Sequence, residues 1–462
     1  MNYQYLFKSS HITRVGVIGM GTFGRLFLAQ SRLIPHIGVP VVCDRDVAVA
    51  RKACLKAGLP PGKLKICGTE AEVNDSIARG KTAVVGDAAL LMDLPISVVM
   101  EASGVPEAGA LHALMAIENG KHVVMVTKET DCVVGPELNR RAQNADLVYT
   151  PADGDQPSLL FGLISWAQTL GFEILCAGKS AELDFVLDPN SKTISRDESI
   201  VSISDLGLWE LADCTAEKLI HQRRRILESL VQFSVADLCE MAIVLNGTDF
   251  DYDAPQLHAP IARITEMPEI MCLQADGGLF QKEGVVDMVN CLRRPDEASF
   301  GGGVFVVIKC RAQNTWPLLK NKGHLVSRDG TRAMIIRPYH LLGLETATSV
   351  LAAGLVKQST GSNDLRPRVD LGIRTCRELQ KDEFLALELD HSISGVVPEI
   401  IPAAGIATDN PIPYYMAAGN RLKYPVEEGR LLTYDMMEHD PKSCLWNLRR
   451  DQDAAFGLIS PK

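Results

Sequence analysis

The chain has 462 residues, of which 46% are hydrophobic and 23% are charged, a composition typical of globular proteins. This length exceeds what one hydrophobic core serves, so two or three domains are expected. The formal net charge of -10 argues against general nucleic-acid binding, which requires a basic face.

The cysteines and the N-terminal segment indicate a cytoplasmic protein. Twelve cysteines are spread along the chain without a C-x-x-C pair, a pattern typical of buried, reduced thiols rather than of zinc sites or a disulfide framework. Residues 1–14 lack an apolar signal core, and no apolar stretch approaches the length of a membrane span. We therefore expect a soluble protein that binds neither nucleic acid nor membrane.

The first 150 residues alternate between predicted strands and predicted helices. Strands are predicted at residues 13–18, 39–43, 65–67, 97–101 and 121–126, and helices at 25–30, 46–57 and 106–119. This alternation is typical of a doubly wound parallel sheet. The expected fold class is α/β, with an N-terminal Rossmann domain over residues 1–150.

The pattern changes twice after residue 150. Residues 151–360 are predicted to form an α+β substrate and catalytic domain. Its predicted elements are helices at 159–167, 218–244 and 341–355, strands at 172–177 and 303–310, and a long loop at 184–217. A polar linker at 358–363 leads into a small, mostly β domain over residues 365–440, followed by a polar tail.

A glycine-rich turn carries the most specific signal. Gly19-Met20-Gly21-Thr22-Phe23-Gly24 follows the first predicted strand and opens a predicted helix. Gly19 permits the tight turn, Gly21 lets the backbone approach a pyrophosphate, and Gly24 lets helix and strand pack closely. We predict that this turn, including Thr22 and Phe23, binds a dinucleotide.

The choice between NAD and NADP stays open at this point. Asp44 ends the second predicted strand about twenty residues after the last glycine, where a carboxylate can accept hydrogen bonds from ribose hydroxyls. Arg45 follows it and can stack on adenine or pair with a 2′-phosphate. Asp44 favours NAD and Arg45 accommodates NADP, so both residues enter the predicted cofactor site.

Two further strand ends point toward the nicotinamide side. Ser103 and Gly104 follow one predicted strand, and Lys128 follows the next, at the edge where ligands of open α/β sheets bind. A lysine there can hold a substrate oxygen, or relay a proton if burial lowers its pKa. The alternative is a solvated loop lysine.

The remaining candidate residues lie in the second predicted domain. Asp153 and Asp155 flank a glycine before a helix, where they suit substrate binding, proton transfer or a divalent metal, and equally a plain N-cap. Lys179 lies at a strand end and is a candidate anion ligand; the surrounding AGKS lacks the earlier glycine of a P-loop. Arg337 can clamp an anionic group, and His340 is either an acid–base group or structural.

The chain as a whole resembles the homoserine-dehydrogenase-like oxidoreductases that carry a C-terminal SAF-type domain. It is most similar to their 1-deoxy-D-xylulose-5-phosphate reductoisomerase-like branch. The resemblance rests on VGVIGMGTFG at 15–24, NGKHVVMV at 119–126, GDQP at 154–157, RPYHL at 337–341 and VEEGRLL at 426–432. It implies a catalytic or cofactor-proximal role for Lys128 and a homo-oligomeric assembly, with residues 151–360 also as the dimerisation domain.

The resemblance also implies an activity. It predicts an NAD(P)H-dependent reductoisomerase of a small phosphorylated sugar, as in isoprenoid synthesis, and so a small, polar, anionic substrate. The alternatives are an oxidoisomerase of a branched sugar acid such as D-apionate, and a homoserine-type dehydrogenase. A non-catalytic, dinucleotide-binding sensor is the alternative from another class. A divalent metal is left open, without assigned ligands.

Overall fold

The N-terminal part of the chain folds as a parallel sheet of seven strands. The structure, a computed structural model, describes residues 2–204, 209–211, 215–312 and 314–458. The strands are β1 (Thr13–Ile18), β2 (Ile37–Cys43), β3 (Leu64–Ile66), β4 (Thr82–Val85), β5 (Val98–Glu101), β6 (His122–Met125) and β7 (Tyr149–Pro151). Their order is β3-β4-β2-β1-β5-β6-β7, and all neighbouring pairs are parallel. The order reverses between β1 and β5, and ligands bind at such a switch point.

Helices cover both faces of this sheet, as apolar parallel strands require. They are α2 (Thr22–Ser31), α3 (Val47–Lys56), α4 (Glu70–Ala78), α5 (Ala89–Met92), α6 (Pro106–Glu118) and α7 (Lys128–Asn144). A short helix, α1 (Tyr3–Leu6), precedes β1, and α8 (Gln156–Thr169) follows β7 and packs mainly on the second sheet. The predicted Rossmann fold is confirmed, although the prediction missed β4 and the helices α1, α4, α5 and α7. Helix α7 escaped notice because its buried face carries polar residues, including Glu129, Asp131 and Glu137, which obscure the apolar periodicity.

The second sheet is mixed. Its strands are β8 (Ile174–Ser180), β9 (Phe185–Asp188), β10 (Thr193–Arg196), β11 (Ser199–Ser202), β12 (Asp251–Tyr252), β13 (Ile261–Ala262), β14 (Val285–Arg293), β15 (Val304–Lys309), β16 (Leu325–Val326) and β17 (Arg332–Arg337). Its helices are α9 (Ala216–Ile226), α10 (Val235–Asn246), α11 (Met267–Ile270) and α12 (Trp316–Asn321). The main path runs β11-β10-β9-β14-β8-β15-β17-β16, with β12 and β13 added on β14.

Two predictions in this region are wrong. The predicted loop at 184–217 contains the antiparallel strands β9, β10 and β11, which are short and have half-exposed or exposed residues that hide their alternation. The predicted helix at 218–244 is two helices, because Ser234 N-caps α10 and ends the continuity.

The C-terminal part holds a small antiparallel pair and then returns to the first sheet. Its elements are α13 (Thr346–Leu351), a π-helical turn (Ala352–Val356), β18 (Val369–Thr375), β19 (Val396–Pro402), α14 (Tyr414–Ala417) and α15 (Cys444–Ala455). The predicted helix at 341–355 therefore starts later, after a turn at Gly343. The predicted polar tail is wrong, since α15 packs against α6 and α7 with Leu445, Trp446 and Leu448 buried. The predicted three-part fold class is confirmed.

Two further predictions concern reduced cysteines and the absence of a membrane-spanning segment. The cysteines within the described residues are all free thiols, and most of them are buried. Cys376 is exposed, and Cys214 lies outside the described residues. Among the helices that the structure describes, none combines the length and apolarity needed to cross a bilayer.

Candidate active site

The glycine-rich turn joins β1 to α2 in the geometry that a dinucleotide requires. Gly19 has φ +88°, and a Cβ there would lie 2.2 Å from the carbonyl oxygen of Ala102. A Cβ on Gly24 would lie 2.1 Å from the carbonyl oxygen of Gly19. At Gly21, in contrast, a Cβ would meet open space. Gly19 and Gly24 thus serve the fold, whereas Gly21 leaves room for a ligand.

The first turn of α2 is open to an anion. Gly21 is the N-cap and provides no side-chain cap, Thr22 is exposed and Phe23 is half-buried. The backbone N–H groups at such a helix start carry partial positive charge and suit a pyrophosphate. The residues present therefore fit a dinucleotide cofactor.

Asp44 stabilises the turn and borders a cavity. Its Oδ2 accepts a hydrogen bond from the backbone N–H of Met20 at 2.9 Å, and its Oδ1 accepts one from the N–H of Asp46 at 3.0 Å. The adjoining cavity has a volume of about 390 Å³, and Asp44, exposed Arg45 and Asp87 lie along it. This cavity lies where the adenosine end of a dinucleotide binds in Rossmann folds.

The loop that carries Ser103 and Gly104 is tied to the next strand end through Glu101. The fully buried carboxylate of Glu101 accepts hydrogen bonds from the N–H of Ser103 at 3.2 Å and from the hydroxyl of Thr127. The N–H of Gly104 donates to Thr127 Oγ1 at 3.0 Å. Because Thr127 immediately precedes Lys128, these bonds hold Lys128 beside the loop predicted to face the nicotinamide.

Replacing Gly21 with alanine is expected to weaken dinucleotide binding roughly ten- to a hundredfold, because the methyl group separates the backbone donors from the pyrophosphate. The thermal midpoint should stay near that of wild type, since the Cβ meets no protein atom within 4 Å. Titration of intrinsic fluorescence with NADH and NADPH measures the affinity.

The matched control is Gly24→Ala, whose Cβ clashes with the Gly19 carbonyl. This variant should lose about 1–3 kcal/mol of stability through overpacking. Unchanged cofactor affinity in Gly21→Ala would contradict the assignment of the turn.

Two lysines and two carboxylates form a cluster at the carboxyl edge of the first sheet. Lys128, the first residue of α7, donates from Nζ to Glu240 Oε1. Lys179 on β8 donates to Asp237 Oδ1 at 2.6 Å and to Glu240 Oε2. We call Lys128, Lys179, Asp237 and Glu240 the lysine–carboxylate cluster. Glu240 thus bridges both lysines.

The cluster keeps both lysines protonated. Burial lowers the pKa of Lys128, but Glu240 and Asp155 more than offset it and raise that pKa well above its usual value. For Lys179, burial is likewise outweighed by Asp237 and Glu240, so its pKa is raised. The predicted pKa-lowering at Lys128 is therefore wrong, because the desolvated ammonium has carboxylate partners. Lys128 is available as a hydrogen-bond donor and acid.

The turn before α8 directs its two carboxylates to different places. Asp155 N-caps α8 and stabilises the ammonium of Lys128. Asp153 instead accepts a hydrogen bond from the Ser158 hydroxyl at 2.6 Å, and burial raises the pKa of Asp153 to about 6. Gly154 between them has φ +87°. The two carboxylates therefore do not form the predicted shared site, and of the two only Asp155 lies near Lys128.

The chain from β17 to α13 packs tightly against this turn. A Cβ on Gly154 would lie 3.0 Å from the carbonyl oxygen of Leu341. Gly343 has φ +72°, and its Cβ would lie 2.8 Å from the carbonyl oxygen of Phe23 on α2. The 341–343 loop therefore fills the space between the turn and α2.

Arg337 and His340 lie outside the cluster's hydrogen bonds. Arg337 ends β17 and donates to Glu345 at 2.6 Å, while the Nδ1 of His340 lies 2.8 Å from the carbonyl oxygen of Gly302. The Nε2 of His340 lies 3.9 Å from Glu182. Burial raises the pKa of the Glu182 carboxyl, and the charges of Lys179 and His340 partly offset this effect. Glu182 therefore interacts with both His340 and the cluster.

Sequence reasoning missed four residues of this region. Asp237 and Glu240 interrupt an otherwise apolar stretch of α10, and that interruption is the signal that could have found them. Glu129 follows Lys128 and is buried, and its Oε1 lies 2.9 Å from His391 Nδ1. His391, which has φ +66°, comes from the C-terminal part of the chain and had no signal in sequence.

Metal ligands stay unassigned. Within the described residues, no group of three or more histidine, cysteine, aspartate or glutamate side chains is arranged to hold a metal ion. The carboxylates of the cluster are paired with the two lysines instead.

Comparison with known proteins finds a family match for the middle of the chain. Residues 154–346 match the model of the family described as oxidoreductase DRL, catalytic domain. This stretch contains Asp155, Lys179, Asp237 and Glu240. No curated protein matches the chain.

Solved structures resemble the chain only distantly. A probable dehydrogenase from Thermotoga maritima is 12% identical over 76% of this chain and 91% of its own, with a TM-score of 0.37. An oxidoreductase domain protein from Kribbella flavida is 18% identical over 39% of this chain and 44% of its own, with a TM-score of 0.29. A DOX-P reductoisomerase is 16% identical over 37% of this chain and 46% of its own, with a TM-score of 0.28. The chain thus spans less than half of the last two proteins.

Two features of this chain agree with each other. The glycine-rich turn fits a dinucleotide, and residues 154–346 are similar to an oxidoreductase catalytic domain.

Proposed function

We propose that the chain is an NAD(P)-dependent oxidoreductase that interconverts a hydroxyl and a carbonyl group on a small, polyhydroxylated substrate, with Lys128 at the reacting oxygen. The placement of Lys128 carries this proposal. It begins α7 directly after β6, and Thr127 fastens it to the loop of Gly104 at the edge where the nicotinamide is expected.

The chemistry divides between the cofactor and the chain. The nicotinamide, when bound, supplies or accepts the hydride. In the reducing direction, the Lys128 ammonium donates a hydrogen bond to the carbonyl oxygen and then the proton, so that the product is a neutral alcohol. Glu240 holds Nζ of Lys128 in position, and Lys179 fixes Glu240 from its other oxygen. In the oxidising direction Lys128 would first have to lose its proton, which the raised pKa of its ammonium opposes.

The charge of the cluster supports a polyhydroxy compound. Five carboxylates act on the ammonium groups of Lys128 and Lys179, so the local charge is not positive. They are those of Glu129, Asp155, Glu182, Asp237 and Glu240. Alternating donors and acceptors suit hydroxyl groups, whereas a phosphate would meet no net positive charge here. The anionic group predicted from sequence would have to bind away from the cluster.

Reduction with rearrangement of the carbon skeleton stays a prediction within this proposal. NMR of the product distinguishes it from plain dehydrogenation, because a rearranged product has a branched skeleton. The sugar-acid and homoserine-type alternatives are distinguished by which class of substrate the protein turns over.

The proposal is tested by following the reduced nicotinamide in the presence of sugars, sugar acids, sugar phosphates and hydroxy acids. Turnover of one of these by wild type, and its loss in Lys128→Ala, supports the proposal. Dinucleotide binding without turnover of any of them would favour the sensor interpretation. Equal turnover by Lys128→Ala would exclude the assigned role.

For the cofactor we propose NAD. The carboxylates of Asp44 and Asp87 both border the cavity for the adenosine end, where they would repel the 2′-phosphate of NADP. Asp44 is held in place by Met20 and keeps lone pairs for ribose hydroxyls.

Replacing Asp44 with asparagine is expected to shift the NADPH-to-NADH affinity ratio by roughly tenfold toward NADPH, since one repelling charge is removed. Paired titrations with both reduced cofactors measure the ratio. Asp46→Asn is the matched control, because Asp46 lies two residues away and caps α3. An equal shift in both variants would point to general surface charge and contradict a specific role for Asp44.

A further inference from the structure

A second cavity lies on the other side of the Asp153–Asp155 turn. It has a volume of about 460 Å³, within the range of small-molecule sites, and lies between α1, α8 and the chain that follows α13. Its walls are mostly apolar and include Leu6, Phe7, Leu159, Leu163, Trp166 and Val356. The mechanism proposed above uses none of these residues.

The inner end of this cavity is polar, and hydrogen bonds hold its side chains in place. Asp153 Oδ1 accepts from Ser158, whose hydroxyl also lies 3.1 Å from Thr360 Oγ1. The backbone N–H of Asp153 donates to Ser349 Oγ at 2.7 Å, and Ser349 lies 2.7 Å from Thr360. These bonds fix the carboxyl in one orientation. Its second oxygen, Oδ2, accepts a hydrogen bond from no residue that the structure describes.

The local charge is negative. Arg337 lines the same cavity, but it is already paired with Glu345 at 2.6 Å. The guanidinium and the two carboxylates of Asp153 and Glu345 sum to about one negative charge. Asp153 is half-buried, and partial desolvation of a carboxylate without a full counter-charge raises its pKa. A cation in the cavity would supply the missing counter-charge.

We propose that this cavity binds a small organic amine in its protonated form, with the ammonium on Asp153 and an apolar body against α8. The ammonium supplies the donors that Asp153 Oδ2 lacks, and the hydrocarbon covers Leu163 and Trp166. The site is separate from the lysine–carboxylate cluster, since no residue of that cluster lines this cavity.

Phenethylamine is a suitable probe, and 2-phenylethanol is its neutral counterpart of the same shape. Calorimetry on the full chain should show the amine binding, with the alcohol weaker by roughly ten- to a hundredfold. Asp153→Asn should reduce amine affinity by a similar factor and leave the alcohol unchanged. Trp166 is 48% exposed at the cavity, so the amine should change the fluorescence of wild type but not of Trp166→Phe.

Gly162 offers a variant that blocks the cavity without disturbing the fold. It lies on α8 and lines the cavity, and a Cβ there would meet no atom within 4 Å. Gly162→Leu should abolish amine binding while the helix gains propensity, and Gly162→Ala should retain most of the binding. Thermal unfolding verifies that each variant is folded.

The pH dependence gives a test on wild type alone. Amine binding should weaken as pH falls below about 6, because Asp153 then takes up a proton. Arg337 and Glu345 face Asp153, and Tyr3 lines the cavity from α1. Equal affinity for amine and alcohol, unchanged affinity in Asp153→Asn, or no binding of either probe would each overturn the proposal. If neither probe binds, sedimentation will show whether a second copy of the chain covers the cavity, and the amine site is excluded in that case too.

Discussion

Replacing Lys128 with alanine is expected to lower turnover by about 10²- to 10⁴-fold, the range that a positioned acid–base group contributes. The ammonium of Lys128 is the acid of the proposed mechanism, and its partner Glu240 keeps Lys179 when Lys128 is gone. Cofactor affinity and the thermal midpoint should therefore change little. Turnover is followed through the reduced nicotinamide, and affinity by fluorescence.

A control variant separates the charge of Lys128 from its proton. Lys128→Arg keeps a cation beside Glu240 but gives up its proton far less readily. It should retain binding and lose most of the turnover. A Lys128→Ala protein whose turnover falls in parallel with its stability would instead assign Lys128 a structural role and contradict the mechanism.

Replacing Lys179 with methionine is expected to destabilise the fold by about 3–5 kcal/mol, the cost of breaking a buried ion pair from one side. Lys179 is fully buried, and Asp237 and Glu240 are nearly so. Without Lys179, Asp237 loses its charge partner and Glu240 keeps only Lys128. Urea unfolding at neutral pH measures the change in the free energy of unfolding.

Lys309 provides a matched control. It also lies on a strand and pairs with two carboxylates, Glu173 at 2.6 Å and Glu283 at 2.7 Å, but about a third of its side chain is exposed. Solvent screening should limit the loss in Lys309→Met to about 1 kcal/mol or less. Adding Asp237→Asn and Glu240→Gln to Lys179→Met should recover part of the loss. Equal losses at both lysines would show that burial is not what makes Lys179 costly to remove.

The dinucleotide site could be predicted from sequence because its geometry is local. Gly19, Gly21 and Gly24 lie within one turn, and the backbone conformation there follows from the absence of side chains. Asp44 follows from the regular spacing of the βαβ unit. Little else has to be known about the rest of the chain.

The lysine–carboxylate cluster could not be predicted in the same way. Lys179 meets Asp237 and Glu240 across about sixty residues and an intervening set of strands, so their contact depends on the assembled core. Neither carboxylate belongs to a motif with a local mechanism. Without those partners, sequence reasoning could assign Lys128 a lowered pKa, whereas the assembled structure raises it.

The Asp153–Asp155 turn shows a different limit. The sequence places both carboxylates within three residues, which suggests one shared site. The structure gives them different partners, Ser158 for Asp153 and the charge of Lys128 for Asp155, and no composition or spacing rule contains that information.

The contacts of the 341–343 loop restrict how the molecule can change shape. A side chain at Gly343 would clash with α2, and one at Gly154 would press on Leu341. The backbone of this loop therefore lies in close contact with both the cofactor helix and the turn that carries Asp155. Neither α2 nor that turn can move toward the loop without displacing it, so the glycine at position 343 makes close packing of the two sites possible.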